Sequence, residues 1–369
     1  MSPRRNILVL ITPGFASSEA ESSCLPLQQA LVRAWQRVAP WLDVRVLALH
    51  YPFQEGTYAF SGATVHAFAG RNRGGLARWK RRGNVLRTLA KLKREHNVRG
   101  IVSCWYGEAA ALGSAFARRH GVPHFCWLLG QDARAANDWP RRLRLREQEL
   151  VALSQTVRDE CAMAHGVRPA HVITPGVDAH VSSESIERRE LLVGVGSLIP
   201  LKRWPVFLQV VSMLKERHPS LEAVLIGEGP ELADLQRQAK MLRLEGVVHF
   251  TGALPHEQVL QWMRKARLLI HPSEYEGYSG VCQEALTQGT PVVSFCSPGA
   301  TLPGGWFAVD SVEAMTKRAS SLLMQPCGIP AQGFPVDETA KQWLVLLGIY
   351  SDDNTLRSPA AIAPGEKCS

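Results

Sequence analysis

The chain has 369 residues, of which 46% are hydrophobic and 20% charged, with a formal net charge of +9 at pH 7. This length predicts about two domains with room for a cleft between them. Apolar runs are far shorter than the roughly 20 residues that a transmembrane helix needs, and Pro13 ends the first of them, which favours a buried strand over a signal peptide. Eight cysteines without a CxxC pair or a Cys/His cluster indicate neither a zinc site nor a disulfide framework, so a cytoplasmic location is expected.

The positive charge is concentrated between Arg71 and Arg99, where eleven Lys and Arg residues accompany a single acid, Glu95. Two interpretations of this basic stretch (residues 71–99) stay open. Either its apolar residues face the core while the cations are solvated, or it rests on an anionic membrane surface near a lipid-linked acceptor. The second interpretation predicts a peripheral location at the inner face of a membrane. No nucleic-acid partner is expected.

Short apolar runs alternate with amphipathic helical patterns along the first half of the chain. Strands are predicted at 6–12, 44–50, 98–105, 124–130 and 150–154, and a helix at 27–38 after a Ser capping signal. Because these strands are apolar without alternation and are separated by helices, they predict a parallel sheet that is covered on both faces.

The same pattern restarts near residue 191. Strands are predicted at 191–197, 221–229, 247–252, 268–273 and 291–295, and helices at 204–217, 230–242, 255–266 and 280–288. The polar, acidic stretch 178–190 is the predicted linker. The expected units are domains at 1–180 and 181–330, a C-terminal helix within 331–350 that packs back toward the first domain, and a flexible tail at 351–369. The predicted fold class is α/β, with two Rossmann-like domains whose parallel sheets face a central cleft.

The glycine motifs do not identify a dinucleotide cofactor. The sequence GVGSLI at 194–199 lacks the third Gly of the dinucleotide fingerprint. The chain also lacks a P-loop, a G-x-S-x-G elbow, an H-E-x-x-H motif and a DxD motif. No cofactor and no essential metal are therefore expected.

The stretch HPSEYEGYSGVCQEALTQGTPVVSF, residues 271–295, carries the most informative pattern. A predicted strand runs into a loop and then a helix, whose start offers free N–H donors and about half a positive charge. Gly277, Ser279 and Gly280 let a diphosphate approach the backbone closely. Glu276 and Glu284 would then flank the phosphates and accept hydrogen bonds from sugar hydroxyls. Taken singly, each glutamate is more commonly explained by an ordinary role, Glu276 as a capping acid and Glu284 as a surface helix residue.

This segment resembles the C-terminal domain of retaining glycosyltransferases of the GT-B fold, family 4 type. PSEYEGYSGVCQEA matches the family pattern P-S-x-x-E-G-F-G-x-V-x-x-E-A, with Glu276 and Glu284 as its E-x7-E pair and with Tyr278 and Ser279 at the usual Phe and Gly. GSLIPLKR (196–203), GEGP (227–230) and FTG (250–252) resemble further family elements. In the first half, PGF (13–15) resembles the glycine loop, and LLGQD (128–132) lies where many members carry H-G-x-D.

The resemblance implies an EC 2.4 transferase that moves a sugar from a UDP- or GDP-type donor to a saccharide or lipid-linked acceptor with retention. This activity would serve polysaccharide or glycolipid biosynthesis. Glu276 and Lys202 would be catalytic, the first accepting from hydroxyls of the donor sugar and the second pairing with the pyrophosphate. Glu284 would accept from the ribose hydroxyls. Further donor contacts are implied at Gly14, Ser197, Arg203, Gly277, Tyr278, Ser279, Gly280 and Val281, and an acceptor or sugar contact at Asp132.

Three departures from the family pattern affect these roles. Ser197 stands at the usual Arg, which removes one phosphate cation, and Arg203 stands at the usual Gly, where it can compensate for that cation. Leu129 stands at the usual His, which puts the role of that His in doubt. The alternatives are a GT-B-fold sugar-nucleotide epimerase or phosphorylase, and a non-catalytic protein that binds a sugar nucleotide or a membrane.

Overall fold

The computed structural model describes residues 4–22, 24–178, 189–297, 302–325 and 333–350, and within these ranges the chain forms two β-sheets flanked by helices. The predicted boundary between residues 180 and 181 and the predicted tail at 351–369 lie outside the described residues. The predicted linker lies mostly outside them as well.

The first sheet has eight strands in the order β3-β4-β2-β1-β5-β6-β7-β8. Its strands are β1 (Asn6–Gly14), β2 (Asp43–Tyr51), β3 (Gly56–Phe60), β4 (Ala63–Ala67), β5 (Asn97–Cys104), β6 (His124–Leu128), β7 (Leu150–Ala152) and β8 (His171–Val172). Every pairing is parallel except that of the β3–β4 hairpin. The helices between these strands are α1 (Pro26–Val38), α2 (Gly75–Glu95), α3 (Glu108–His120), α4 (Trp139–Leu143) and α5 (Gln155–His165).

The second sheet has six parallel strands in the order β11-β10-β9-β12-β13-β14. Its strands are β9 (Leu191–Val195), β10 (Glu222–Ile226), β11 (Val248–Gly252), β12 (Leu268–His271), β13 (Val292–Ser294) and β14 (Trp306–Ala308). The helices are α6 (Trp204–Lys215), α7 (Leu232–Met241), α8 (His256–Lys265), α9 (Gly280–Thr287) and α10 (Val312–Met324). The predicted α/β class is confirmed, as are its parallel sheets.

Both sheets are buried on their two faces, which explains the uninterrupted apolar strands of the sequence. Along β1, Leu8 and Leu10 belong to one hydrophobic cluster while Ile7, Val9 and Ile11 belong to another. Successive strand residues point to opposite faces, so only apolar residues at every position fill both cores. The second sheet is arranged in the same way, with one cluster on each of its faces.

A last helix, α11 (Val336–Leu346), lies against the first sheet although it follows the second one in the chain. Its Trp343 is fully buried, and the ring lies 5.5 Å from that of Trp127 on β6 in a T-shaped contact. Val336, Ala340 and Leu344 join the same hydrophobic cluster. Since such aromatic and aliphatic burial is among the strongest stabilising contacts, α11 ties the end of the described chain to the first sheet.

The basic stretch forms most of α2, and its apolar residues are divided between core and surface. Val85, Leu89 and Leu92 are buried against the first sheet. Leu76 and Trp79, in the first turns of the helix, are 88% and 71% exposed. The interpretation in which the apolar residues face the core therefore holds for Val85, Leu89 and Leu92, but not for the first turns of α2 or for Leu86, which is 37% exposed. None of the helices in the described ranges is both long and apolar enough to cross a membrane.

Several elements differ from the sequence predictions. No range was predicted for the β3–β4 hairpin, β8, β14, α3, α4, α5 or α10, and β10 ends at Ile226 where a strand to residue 229 was predicted. The strand predicted at 124–130 ends at Leu128, because Gly130 has a φ of 123° and starts a short 3-10 helix. A left-handed φ cannot continue a strand, so the chain turns there.

Candidate active site

A loop of eight residues, 272–279, connects the carboxyl end of β12 to the first turn of α9. Ser279 caps the helix, since its Oγ accepts a hydrogen bond from the N–H of Cys282 at 3.4 Å. The first turn of α1 lies next to this helix start, and a Cβ at Gly280 would be 3.5 Å from Leu27 Cδ2. The predicted helix N-terminus at the carboxyl end of a parallel strand is therefore present, and it lies where α1 meets α9.

Glu276 lies in this loop and contacts two cationic or hydrogen-bonding partners. The Lys202 ammonium, from the loop after β9, forms an ion pair with Glu276 Oε1. His271 Nε2, at the end of β12, contacts the same oxygen at 2.9 Å. Burial raises the pKa of Glu276, but the His271 hydrogen bond and the Lys202 charge outweigh burial and lower it to about 2. Glu276 is therefore an anion at neutral pH and cannot act as a general acid.

Glu284 lies on α9 and contacts a different histidine. His256 Nε2, at the first residue of α8, lies 2.9 Å from Glu284 Oε1. The hydrogen bond with Glu284 raises the pKa of His256 above its ordinary value, although burial opposes this. The two motif glutamates are thus held by separate partners, and they do not contact each other.

Glu284 and His256 line a cleft of about 800 Å³ between α1 of the first half and α8 and α9 of the second. This volume falls within the range of about 300–1,000 Å³ that is usual for small-molecule sites. Charged and polar side chains of the lining include Arg33, Arg37, Asp178, Gln261, Arg264 and Glu284. Glu276 and Lys202 are not among the residues that line it.

The two halves touch directly at the loop that carries Glu276. A Cβ at Gly277 would lie 2.9 Å from the Cα of Gly130, so this approach requires glycine. Ser154 Oγ, at the N-cap of α5, donates a hydrogen bond to the carbonyl of Gly277 at 2.9 Å. The Tyr275 hydroxyl donates to Glu160 Oε2 at 2.7 Å. The first half of the chain therefore holds the loop of the second half from one side.

Two predicted donor contacts lie in the loop after β9. Arg203 adopts a left-handed φ of 53°, the conformation that the usual Gly would adopt without strain. Its guanidinium lies 5.1 Å from the ring centre of Phe295, a cation–π contact. Ser197 is exposed, and its carbonyl accepts a hydrogen bond from Trp204 Nε1 at 2.9 Å. A contact of either residue with phosphate stays a prediction.

Gly14 and Asp132 are both buried in the first half. Gly14 ends β1, where a Cβ would lie 3.4 Å from Tyr51 Cβ and 3.5 Å from Cys24 Sγ. The Asp132 carboxylate accepts backbone N–H groups of Tyr106 at 2.8 Å and Leu129 at 2.9 Å. Burial raises the pKa of Asp132 to about 6 against the opposing effect of these hydrogen bonds. The side chain of Asp132 therefore anchors the loop that touches Gly277, and its predicted sugar contact stays a prediction.

Tyr278 and Val281 of the motif are partly buried and pack on different clusters. Tyr278 packs against the hydrophobic cluster of the first half, and its ring centre lies 6.5 Å from that of Trp306. Val281 packs against the cluster under α8 and α9. Both residues thus fix the loop and the helix start between the two halves.

Sequence reasoning missed the histidines that contact the two glutamates, and it missed Ser154 and Tyr275 on the interface. His271 is part of the motif segment and lies five residues before Glu276, so its contact with Glu276 could have been predicted from the sequence. His256 lies 28 residues before Glu284 and Ser154 lies 123 residues before Gly277, so only the fold brings these pairs together. Among the described residues no group of three or more His, Cys, Asp or Glu side chains could hold a metal ion.

Residues 178–301 match the model of the family described as glycosyl transferases group 1. This match covers 124 of the 369 residues and shows the likeness to that family for this segment. The matched segment includes Lys202, Glu276, Glu284 and both of their histidines. It begins at Asp178 and covers the second sheet as far as the loop after β13. The resemblance that the motif indicated is therefore confirmed for this segment.

Alignments with individual glycosyltransferases give sequence identities of 26% to 32%. The chain is 28% identical to a GDP-mannose-dependent alpha-(1-6)-phosphatidylinositol monomannoside mannosyltransferase of Mycolicibacterium smegmatis, over 68% of this chain and 73% of that one. Alignments with three other curated glycosyltransferases span only 31% to 45% of the relatives' own lengths.

Solved structures of glycosyltransferases share the fold. HepE of Anabaena, in complex with UDP and glucose, has a TM-score of 0.65 at 18% identity, with 93% of this chain and 99% of that chain covered. The lipopolysaccharide outer core galactosyltransferase WaaB has a TM-score of 0.63 at 13% identity, with the same coverage. The predicted GT-B fold is confirmed by these neighbours.

Proposed function

We propose that this protein is a glycosyltransferase that moves a sugar from a UDP- or GDP-type nucleotide sugar to a saccharide or lipid-linked acceptor. The observation that carries this proposal is the Lys202–Glu276–His271 group beside the start of α9, next to the cleft that contains Glu284. HepE supports a nucleotide-sugar donor because that structure holds UDP and glucose. Polysaccharide or glycolipid biosynthesis is the process that such an activity would serve.

The proposed reaction breaks the bond between the anomeric carbon and the phosphate oxygen, and forms a bond between that carbon and an acceptor oxygen. The acceptor's proton passes to the departing phosphate oxygen, so no protein base is needed, and the anomeric configuration is retained. The transition state accumulates negative charge on the phosphate and positive charge on the sugar. Groups arranged to stabilise both charges lower its energy.

The negative charge would be stabilised by the N–H groups of residues 277–281, by the start of α9 and by Lys202. The Lys202 side chain is paired with Glu276 but is still 20% exposed. Its ammonium would therefore contact both the carboxylate and a bound phosphate. The anionic Glu276 would accept from hydroxyls of the donor sugar and favour the positive charge that develops on the sugar ring. Glu284 would accept from the ribose hydroxyls in the neighbouring cleft.

We further propose that the reaction needs no metal, because these cations and dipoles supply the stabilising charge. Activity should then survive EDTA. Complete inhibition by EDTA that magnesium or manganese reverses would contradict this part of the proposal.

A panel of UDP- and GDP-sugars tests the donor. A bound donor at 100 times its dissociation constant should stabilise the protein by about 2.7 kcal/mol in a thermal-shift assay. The stabilising donor is then incubated with candidate acceptors, and the product's anomeric configuration is determined by NMR. Acceptor-dependent release of the nucleoside diphosphate supports a transferase. Conversion of the donor to its sugar epimer without an acceptor would support the epimerase, and no stabilisation by any donor would overturn the proposal.

An anionic membrane is the proposed surface partner. Leu76 and Trp79 project from the first turns of α2 among the cations of the basic stretch. Each cation near anionic lipid contributes about 1 kcal/mol, and salt weakens that attraction. The protein should therefore sediment with phosphatidylglycerol vesicles at low salt and not with phosphatidylcholine vesicles.

Trp79→Ser should weaken this sedimentation. Trp41→Ser is the matched control, because Trp41 is also exposed, at 38%, but lies outside the basic stretch. Equal sedimentation with neutral and anionic vesicles would contradict the membrane partner.

A further inference from the structure

His256 touches the ribose side of the proposed site, and none of the roles assigned above uses it. Its imidazole is 40% exposed and the Glu284 carboxylate 15%, so both reach the cleft between α1 and α8. The contact joins Nε2 of His256 to Oε1 of Glu284 at 2.9 Å. The second carboxylate oxygen, Oε2, makes no hydrogen bond to the described residues.

The hydrogen bond restricts the rotation of the Glu284 carboxylate about its last side-chain bond. With Oε1 held by His256, Oε2 is left for a ligand in the cleft. A carboxylate that is fixed before the ligand arrives loses less rotational freedom on binding, so its hydrogen bonds to the ligand contribute more to affinity. This is the arrangement expected when a neighbouring residue positions a binding group.

We propose that His256 is a positioning residue for Glu284, and that nucleoside diphosphate affinity depends on the protonation of His256. This inference rests on the proposed function, in which Glu284 binds the ribose. His256 does not touch the reacting atoms in this account. It acts through the carboxylate that it holds.

The direction of the pH dependence follows from the two ring nitrogens. Protonated His256 carries hydrogen on both nitrogens, so Nε2 always donates to Glu284. Neutral His256 carries one hydrogen on either nitrogen, so it donates to Glu284 only in the tautomer that has the hydrogen on Nε2, and the attraction between opposite charges is lost. Because the hydrogen bond with Glu284 raises the pKa of His256, the protonated form persists to a higher pH than in an isolated histidine. Affinity should fall as the pH rises through this pKa.

Other charged groups also face His256 and set its pKa. Asp178, in the segment before the undescribed linker residues, favours the protonated form. Arg33 on α1 disfavours it. Glu284 on α9 exerts the largest effect, so the Glu284 contact rather than the cations of the cleft determines the direction.

The pair is tested first without nucleotide. NMR titration of the His256 ring should give a pKa above the ordinary value of about 6.5 in the parent. The pKa should fall in Glu284→Gln, which keeps the side-chain shape and removes the charge. An equal pKa in the two proteins would overturn the inference.

Nucleotide binding is tested by calorimetry with UDP and with GDP between about pH 5.5 and about pH 8.5, the range in which a histidine changes charge. His256→Ala should bind the preferred nucleotide about tenfold more weakly at the acidic end, which is about 1.4 kcal/mol. His256→Gln keeps an N–H donor but cannot ionise. It should therefore bind the nucleotide more tightly than His256→Ala does, and its pH dependence should be only that of the nucleotide's terminal phosphate, which also changes charge in this range.

The outcomes separate the inference from the function on which it rests. If the parent binds UDP or GDP but His256→Ala binds it as tightly at every pH, only the positioning role is overturned. A pH dependence as steep in His256→Gln as in the parent would likewise overturn the role of protonation. If the parent binds neither UDP nor GDP nor any nucleotide sugar, the proposed function fails and the inference fails with it.

Discussion

Glu276 and Glu284 are eight residues apart on one loop and helix, yet their surroundings differ. Each has an oxygen 2.9 Å from the Nε2 of a histidine. The histidine of Glu276 is only 1% exposed and shares that oxygen with Lys202, whereas the histidine of Glu284 is 40% exposed and lines the cleft. The two carboxylates are about equally exposed, at 17% and 15%, so the difference lies in their partners: Glu276 is held by two, one of them a buried histidine, and Glu284 by one that reaches the cleft.

This difference indicates that the two carboxylates have different roles. A partly buried anion with a lysine and a histidine on one oxygen keeps its charge under all ordinary conditions, which suits the stabilisation of a charged transition state. A carboxylate whose partner is exposed and titratable suits reversible binding of a ligand. Substitution of Glu276 should therefore mainly change turnover, and substitution of Glu284 mainly nucleotide affinity.

Substitution of Glu276 should produce the largest effect. Glu276→Gln keeps the side-chain shape but removes the charge that faces the donor sugar, and loss of one such electrostatic group lowers kcat by about 10²–10³. Initial rates with the identified donor and acceptor measure kcat, and calorimetry with the free nucleoside diphosphate measures affinity.

Lys202→Ala is the companion variant, because it removes the other half of the ion pair. It should also lower kcat more than affinity, since charge on the departing phosphate grows in the transition state. Equal losses of affinity and turnover in both variants would assign the pair to ground-state binding, and the contrast between the two glutamates would disappear.

The second prediction concerns stability in acid. The pKa of Glu276 is lowered to about 2 from an ordinary 4.5, so its ionised form stabilises the folded chain above pH 4.5. That contribution, about 3 kcal/mol at most for this shift, is lost as the pH falls from about 4.5 to about 2. Urea unfolding should show the parent more stable than Glu276→Gln at neutral pH, with a difference that shrinks in acid. A difference that is constant with pH would contradict the lowered pKa.

The third prediction concerns Glu284 and nucleotide affinity. Glu284→Ala should weaken binding of the nucleoside diphosphate by about 1.5–3 kcal/mol, because ribose hydroxyls lose a charged acceptor. The turnover of bound donor should change much less than in Glu276→Gln. Calorimetry at neutral pH measures the first quantity and saturating kinetics the second. Unchanged affinity would show that Glu284 does not bind the ribose.

Most of the fold could be predicted from the sequence because both sheets are buried on two faces. In β1 the five residues Ile7–Ile11 are all apolar, which is the pattern of a strand that is covered on both faces. The hairpin of β3 and β4 was not predicted, since β3 is an edge strand with mostly exposed residues. Its turn at Ser61 and Gly62 has positive φ values of 44° and 82°, a local signal that a search for Ser-Gly turns would have detected.

The candidate site was predictable only in part. The loop, the helix start and the two glutamates follow each other in one short segment, so the pattern was visible locally. The contacts of that segment come from distant parts of the chain. Lys202 lies 74 residues before Glu276, and Ser154 approaches Gly277 across the interface between the halves. Spacing alone does not reveal such contacts because they depend on how two separately folded sheets meet.

Ser279 connects the two glutamate sites, and its removal should have the smallest effect. Its Oγ caps α9, which carries Glu284, and also lies 3.4 Å from Nε2 of His271, the partner of Glu276. Ser279→Ala should cost about 1 kcal/mol of stability, the usual loss for an N-cap. Because the cap orders the helix that carries Glu284, nucleotide affinity should fall a few-fold in Ser279→Ala while kcat changes little. Ser279→Asp retains a capping oxygen but adds a negative charge beside the phosphates, so it should weaken nucleotide binding further. If Ser279→Ala instead lowered kcat and left affinity unchanged, Ser279 would act on turnover through His271 and Glu276. Its role as the cap of α9 would then not matter for nucleotide binding at Glu284.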